Sequence, residues 1–422
     1  MNKIEVKKLR LENQRITVEF DVDGSDEWKS FFVKPYIMFA EYNFPVESIP
    51  YSVAIVPFVA NMLPLIWLFD AELIIDEIDE AYYNSIPDFQ AGYMKLHPKF
   101  DFGGKISFNR TVENHSVVPA ERTAALFSGG VDATFTMLSH IEENPVLITI
   151  WGADMHVDNV EGWTAIYNHA KKVADKFELD QQTVRSNFSV VQDKDLLIPF
   201  ICQKEPDTSW YEHFLYGIAF FGLMAPLAYT LGVKLFYIAS SNNPDYVGSY
   251  SCSSDPIIDD YIHFVDASCK HDGFDKNRQD KIHGICEYNK KYNKGIDLHV
   301  CFYDGRGVNC GVCEKCCRTM LEILAEDENP ANYGFDNFDD NLRAQMIYNL
   351  RHKYWMRCYF GRYDYEYTQR AIKKRYTYKE CPDDLKWFYR LKMTGQYPKW
   401  LSVYKWLSKQ MHSVLKLLHI EK

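Results

Sequence analysis

The chain has 422 residues, of which 47% are hydrophobic, 25% charged and 15% aromatic, with a formal net charge of −11. That length exceeds what one hydrophobic core usually organises, and the composition excludes a disordered, collagen-like or disulfide-scaffold protein. The charge is uneven: residues 341–422 carry 18 basic against 6 acidic side chains, the rest of the chain 29 against 52. Such a tail either docks on its own acidic body or holds a polyanion such as nucleic acid. Its basic residues are scattered among Trp and Tyr instead of clustered, which favours the first.

Residues 2–40 alternate polar and apolar side chains at period two, which predicts strands over KIEVKKLRL, RITVEFDV and KSFFVKPYIMF, with a turn at DGSDE. This N-terminus lacks the long apolar core of a signal peptide, so a cytoplasmic protein is expected. VAIVPFVANMLPLIWLF predicts a broken helix, ELIIDEID a strand and EAYYNSIPDFQAGYMKL a mixed, helix-like piece. Two uncharged stretches, 48–69 and 214–233, have the length of a membrane span. Prolines and glycines break both, and the second runs straight into KLFYIASS, so buried helices and no membrane contact are expected.

From Arg122 the texture becomes strand then helix, repeated: TAALF, VDATFTMLSHI, PVLITIW, NVEGWTAIYNHAKKVADKF, QTVRSNF, YEHFLYGIAFFGLMAPLAYTL and KLFYIASS. That alternation predicts an α/β fold with a parallel sheet, whose ligands belong at the carboxyl ends of its strands. After Asp336 the chain reads as helical and aromatic, ending in the amphipathic WLSVYKWLSKQMHSVLKLL. Three segments are expected: an N-terminal α+β accessory domain over 1–118, a central parallel-sheet domain over 119–335, and a basic, aromatic-rich helical region over 336–422.

Within AALFSGGVDATF a strand ends at Ser128-Gly129-Gly130 and a helix starts at once. A helix N-terminus offers unpaired backbone N–H groups and the positive end of its dipole, so anions collect there. The glycines let the backbone close tightly, and the Ser128 and Thr134 hydroxyls can donate to phosphate oxygens. Asp132 repels phosphate unless a divalent cation lies between them, which points to Mg2+. No Gly-Lys-Ser/Thr follows, so this is not a Walker A loop. The alternative is a Gly-Gly turn that merely starts a helix.

The second signal is CFYDGRGVNCGVCEKCC, which spaces Cys301, Cys310, Cys313 and Cys316 as C-x8-C-x2-C-x2-C. Two-residue spacing aims successive thiolates at one ion, Gly311 relieves the turn, and four thiolates make a closed, structural Zn2+ site. Cys317 is the spare and could replace Cys316. Free or redox-active thiols are the alternative. Eleven cysteines without an export signal fit thiols or metal ligands better than disulfides.

SGGVDAT resembles the loop of the PP-loop ATP pyrophosphatases, a superfamily with a Rossmann-like sheet that cleaves ATP between its α- and β-phosphates to activate a substrate as an adenylate. The resemblance assigns Phe127, Ser128, Gly129, Gly130, Val131, Asp132 and Thr134 to ATP, with Ser128 and Asp132 nearest the chemistry. The family pattern has Ser or Thr where this chain has Ala133. The loop together with the downstream cysteines is similar to the 7-cyano-7-deazaguanine synthase family over residues 120–330. DYVGSYSC is similar to that family's substrate loop, which implies substrate contacts for Asp245, Tyr246 and Gly248. Ser253 stands where the family has Arg.

This resemblance implies an ATP-dependent ligase or amidating enzyme whose partners are a deazaguanine-like carboxylate and an amine donor. Proteins of this type also recur in bacterial antiphage cassettes. A protein or nucleic-acid acceptor and a homodimer are compatible with the sequence. PP-loop thiolation of tRNA, with Cys202 or Cys252 as the reactive thiol, and a nucleotide-binding regulator without turnover are the competing readings. Trp151 either flanks adenine or is an ordinary core or rim tryptophan. Arg278 and Lys281 could reach a phosphate, although a solvated helix face accounts for them better. The thirteen histidines show no metal-binding spacing and receive no role.

Overall fold

The structure is a computed structural model that describes residues 2–206, 208–248, 250–301, 308–359 and 364–393. It comprises two compact units, Met1–Asn309 and Cys310–Lys422.

The first unit is mixed α/β around one large, mostly parallel sheet. Its strands are β1 (Lys3–Glu12), β2 (Arg15–Asp23), β3 (Ile37–Glu41), β4 (Glu72–Ile74), β5 (Glu77–Asp79), β6 (Lys105–Ser107), β7 (Arg110–Val112), β8 (Arg122–Leu126), β9 (Val146–Trp151), β10 (Gln181–Ser186), β11 (Val233–Ala239), β12 (His263–Phe264) and β13 (Ala267–Asp272). The order is β12-β13-β11-β8-β9-β10-β3-β2-β1-β4-β6, while β5 and β7 form a separate pair. Five neighbours, β13, β11, β8, β9 and β10, run parallel. Their apolar runs are uninterrupted because both faces are covered: Ala124, Ala125, Val146 and Leu147 are fully buried.

β8 lies between β9 and β11, and the chain crosses to opposite sides of it, first to β9 and later to β11. The carboxyl end of β8 is therefore a topological switch point, where the loops on either side diverge and leave a crevice.

Apart from the β5–β7 pair, the strands of residues 1–118 belong to this same large sheet, in contrast to the sequence boundary near 118. β3 pairs antiparallel with β10, placing Glu41 opposite Arg185 and Ala40 opposite Ser186. Asn187 extends the seam, accepting from the Phe39 N–H at 2.8 Å and donating to the Ile37 carbonyl at 2.9 Å. The core is likewise shared, since Ile16, Val59, Phe89 and Phe221 belong to one buried cluster. Gly222 shows why: a Cβ there would lie 2.3 Å from the Ala60 Cβ, so the helix Tyr216–Gly222 presses against the N-terminal helix Val56–Leu68 at a distance only glycine permits.

Several elements differ from the pattern reading. DGSDE opens a short helix, Asp26–Ser30, capped by the Ser25 side chain, which delays the third strand to Ile37. ELIIDEID divides into β4 and β5 in different sheets. The fifth parallel strand, β13, and the short β6 and β7 carry too weak an alternation to announce themselves. The helical run Tyr211–Leu231 is long and apolar enough to cross a membrane, and 78% of its most apolar window is buried inside the protein.

The second unit is helical over its described residues, with Glu314–Ala325, Asp340–His352, Trp355–Tyr359, Tyr365–Arg375 and Lys386–Arg390. Met320, Leu321, Met346, Leu350, Tyr365, Ile372 and Phe388 are buried in it. Part of its basic charge is neutralised locally, Arg375 by Glu326 at 2.9 Å and Arg357 by Glu314 at 3.0 Å. The amphipathic segment WLSVYKWLSKQMHSVLKLL lies outside the described residues.

Candidate functional site

The loop after β8 is anchored at its start through both polar groups of the Phe127 backbone. The Phe127 N–H donates to the Ile148 carbonyl at 2.7 Å, and the Thr149 hydroxyl returns a bond to the Phe127 carbonyl at 3.0 Å. Gly129 then takes a left-handed φ of 79°, which strains any residue with a Cβ. Gly130 is the N-cap of the helix Val131–Ser139, and no side chain caps that end. The first-turn amides at Val131, Asp132 and Ala133 thus face the switch point with the dipole's positive end behind them. Ser128 is exposed, its hydroxyl 3.4 Å from the Gly130 N–H.

Thr134 differs from the expectation of a phosphate donor. It is 2% exposed and its hydroxyl donates to the Gly129 carbonyl at 3.4 Å, so it braces the loop from inside. Ala133 is buried beside it. Neither position turns a hydroxyl outward.

Asp132 brings in residues that the sequence left aside. Lys281 donates to its Oδ1 at 3.0 Å and to the Ser240 carbonyl at the end of β11, and Arg278 approaches its Oδ2 at 3.3 Å. The Lys281 side chain is 2% exposed and that of Arg278 12%, so the solvated-face reading of these two residues is overturned. The cause is helix packing. A Cβ on Gly284 would lie 2.8 Å from the Phe135 ring, so the helix Arg278–Tyr292 runs close along Val131–Ser139 and delivers its first turn to Asp132. A capping box between Asn277 and Asp280 fixes where that helix starts. Lys281 and Arg278 thus meet on the Asp132 carboxylate beside the uncapped amides.

Two histidines also meet the loop. The His299 N–H donates to the Gly129 carbonyl at 2.8 Å. His169, from the helix Val160–Phe177, lies so close that a Cβ on Gly129 would sit 2.5 Å from its Nε2. The imidazoles are 5.5 Å apart. Burial, then the neighbouring His299, pull the His169 imidazole down to about 4, against the opposing pull of Asp297. No local pattern marks either residue, because the contact joins positions 129, 169 and 299 only through the fold.

The other expected site residues lie in the same half of the sheet. Trp151 ends β9, but its ring stacks on Trp163 with 5.1 Å between centroids and lies 4.4 Å from the Arg185 guanidinium. An indole with these neighbours would have to shed one of them to take a nucleobase on that face. Asp245 and Tyr246 form a short 3-10 turn after β11, started by the Asn243 side chain, and Asp245 is exposed. Gly248 has φ 78° with open space around it. Ser253 is fully buried and donates to the Glu212 carbonyl at 3.0 Å, which leaves no room for a longer side chain. Burial pushes the Cys252 thiol up to about 12, and Cys202 donates to the Thr208 carbonyl at 3.3 Å.

The cysteine cluster is assembled as the spacing predicts. The sulfurs of Cys301, Cys310, Cys313 and Cys316 all lie within 4.8 Å of one another and could hold a metal ion such as zinc. Zn–S bonds of about 2.3 Å in a tetrahedron place sulfurs about 3.8 Å apart, and Cys310 and Cys316 are already at 3.9 Å. Backbone N–H groups of Cys313 and Cys316 donate to the sulfurs of Cys310 and Cys313 at 3.3 and 3.5 Å, a support that suits thiolates. Gly311, at φ 72°, makes the turn between them. Cys317 points elsewhere, 3.5 Å from the Val312 carbonyl, which selects Cys316 as the ligand. No protein-family model and no curated protein sequence matches this chain.

Proposed function

We propose that the chain is an ATP-dependent ligase that activates a small carboxylate and transfers it to an amine, with the triphosphate held at Ser128–Asp132. The observation that carries this reading is the uncapped helix N-terminus at the switch point, next to the buried Lys281 and Arg278 on Asp132. Amides and cations gathered at one point can stabilise the charge that develops on a polyphosphate.

The reaction is written as two displacements. A carboxylate oxygen attacks the α-phosphorus, the bond to the bridging oxygen breaks and pyrophosphate leaves. An amine nitrogen then bonds to the acyl carbon, AMP leaves with the acyl oxygen, and the amine proton passes to solvent or a nearby base. Neither step needs a protein nucleophile, so the chain's contribution is positioning and charge neutralisation. Mg2+ typically takes one or two carboxylates together with phosphate oxygens. Asp132 suits that role if Lys281 and Arg278 move onto the phosphates. The cysteine cluster is assigned to structural zinc. The carboxylate is expected to be deazaguanine-like, as the resemblance implies.

The inward hydroxyl of Thr134 and the buried Ala133 favour a second reading, a nucleotide-binding subunit without turnover. Thiolation is supported less, since a thiol at about 12 is protonated at neutral pH and nucleophilic only as the thiolate. Incubation with ATP and a panel of carboxylic acids, with and without ammonia, distinguishes them. AMP with pyrophosphate supports the ligase, binding without cleavage supports the regulator, and absence of nucleotide binding removes both.

A further inference from the structure

Among the described residues, the buried Nε2 of His169 has no hydrogen-bond partner. A buried nitrogen of this kind ordinarily costs folding energy, which makes it worth asking what it serves. The position is specific. The ring edge that carries Nε2 occupies the space a side chain at residue 129 would fill, so the bare glycine is what lets the imidazole reach the loop. Across from it the His299 N–H holds the Gly129 carbonyl, so one side of that peptide is tied and the other faces the imidazole.

We propose that His169 is a phosphate-contacting residue of the nucleotide site, whose Nε2 hydrogen bonds to a polyphosphate oxygen when the Gly129–Gly130 backbone turns to receive the anion. This rests on the reading of the loop as a nucleotide site. The groups facing the imidazole fit the role. Lys172 and Lys176 sit on the same helix and pair with Asp297 at 2.6 and 3.6 Å, and all three charges act on the imidazole, the lysines against its protonation and Asp297 for it. His299 faces the ring from the other side. The low proton affinity of the imidazole keeps it neutral at physiological pH, able to give one N–H without burying a charge in the empty protein.

The test uses the full chain and three probes: pyrophosphate, a non-hydrolysable ATP analogue and adenosine. His169→Ala should weaken pyrophosphate and the ATP analogue by about ten- to hundredfold, the loss expected for one hydrogen bond to a charged group. Adenosine affinity should stay the same. The melting temperature of the ligand-free variant should hold or rise, since it loses an unsatisfied buried atom, whereas a merely structural histidine would lower it. His169→Gln, which keeps a donor near the Nε2 position, should recover most of the affinity. Unchanged pyrophosphate binding in His169→Ala, or equal losses for pyrophosphate and adenosine, overturns the assignment while leaving the nucleotide site standing. Failure of the unaltered protein to bind any of the probes overturns the nucleotide site and the assignment together.

Discussion

The Lys281 ammonium lies 3.0 Å from the Asp132 carboxylate although 149 residues separate them in sequence, and its side chain is 2% exposed. This pair ties the helix after the glycine loop to the helix Arg278–Tyr292, so the charge at the loop is part of the fold as well as of the site. Asp132→Ala should accordingly cost stability as well as any nucleotide chemistry. It strands a buried ammonium whose other bond shown is to the Ser240 carbonyl, and breaking such a pair costs up to about 3–5 kcal/mol when both partners are buried. With Asp132 itself partly exposed, a loss of about 2–3 kcal/mol in urea denaturation is expected. Asp132→Asn, which keeps the shape, should lose less. An Asp132→Ala protein as stable as the original would refute the structural half of the claim.

The glycine loop gives a second prediction. At φ 79°, with His169 Nε2 occupying the Cβ position, Gly129→Ala incurs both backbone strain and a collision. A loss of about 1–3 kcal/mol is expected from the strain alone. Gly130→Ala, where a Cβ meets its nearest atom at 3.5 Å, should be far milder. Comparable melting temperatures for the two variants would contradict this geometry.

The metal cluster predicts an asymmetry between adjacent cysteines. Cys316→Ser should release bound zinc, measured by atomic emission, and lower the melting temperature, whereas Cys317→Ser should retain it. Full zinc content in Cys316→Ser would show that Cys317 takes its place.

The pH dependence of stability should carry a mark of His140. Its hydrogen bond to Asp272, with Glu143 on the other ring nitrogen, raises its pKa above the usual histidine value against the effect of burial. For Asp272 and Glu143 burial acts upward, but the bonds from His140 hold both below the usual carboxylate range. A histidine with a raised folded-state pKa contributes stability that is complete below its unfolded value of about 6.5 and is lost as pH rises through the higher folded value. The carboxylates contribute above about 4 and lose that contribution as pH falls through their depressed values. The triad is therefore most stabilising between those limits. Chemical denaturation from pH 6 to 9 should show a decline that His140→Gln flattens, and parallel curves would remove His140 as its source.

The sequence made the glycine turn after β8 and the cysteine cluster legible because their signals are local. Ser-Gly-Gly-x-Asp between an apolar run and a helix, and cysteines at two-residue spacing, are geometric statements that a few adjacent residues make by themselves. The alternation from β8 to β11 was readable for the same reason, each strand being a short apolar run beside an amphipathic helix. What could not be read joins distant residues. Lys281 sits beside polar Asn277, Arg278 and Asp280, a context that resembles a solvated face until the helix is packed on Phe135. His169 looks like any polar position on an amphipathic helix. The seam between β3 and β10 rests on edge pairing and on Asn187, which leave no periodicity behind.

That seam has a practical outcome for anyone wishing to shorten the protein. Deleting residues 1–118 would strip β3 from β10 and the Ala60 helix from Gly222, baring a row of peptide groups next to a greasy flank. Exposed strand rims of this sort recruit other chains. The trimmed piece should clump in place of working alone, and the first hundred residues act as the sheet's hem.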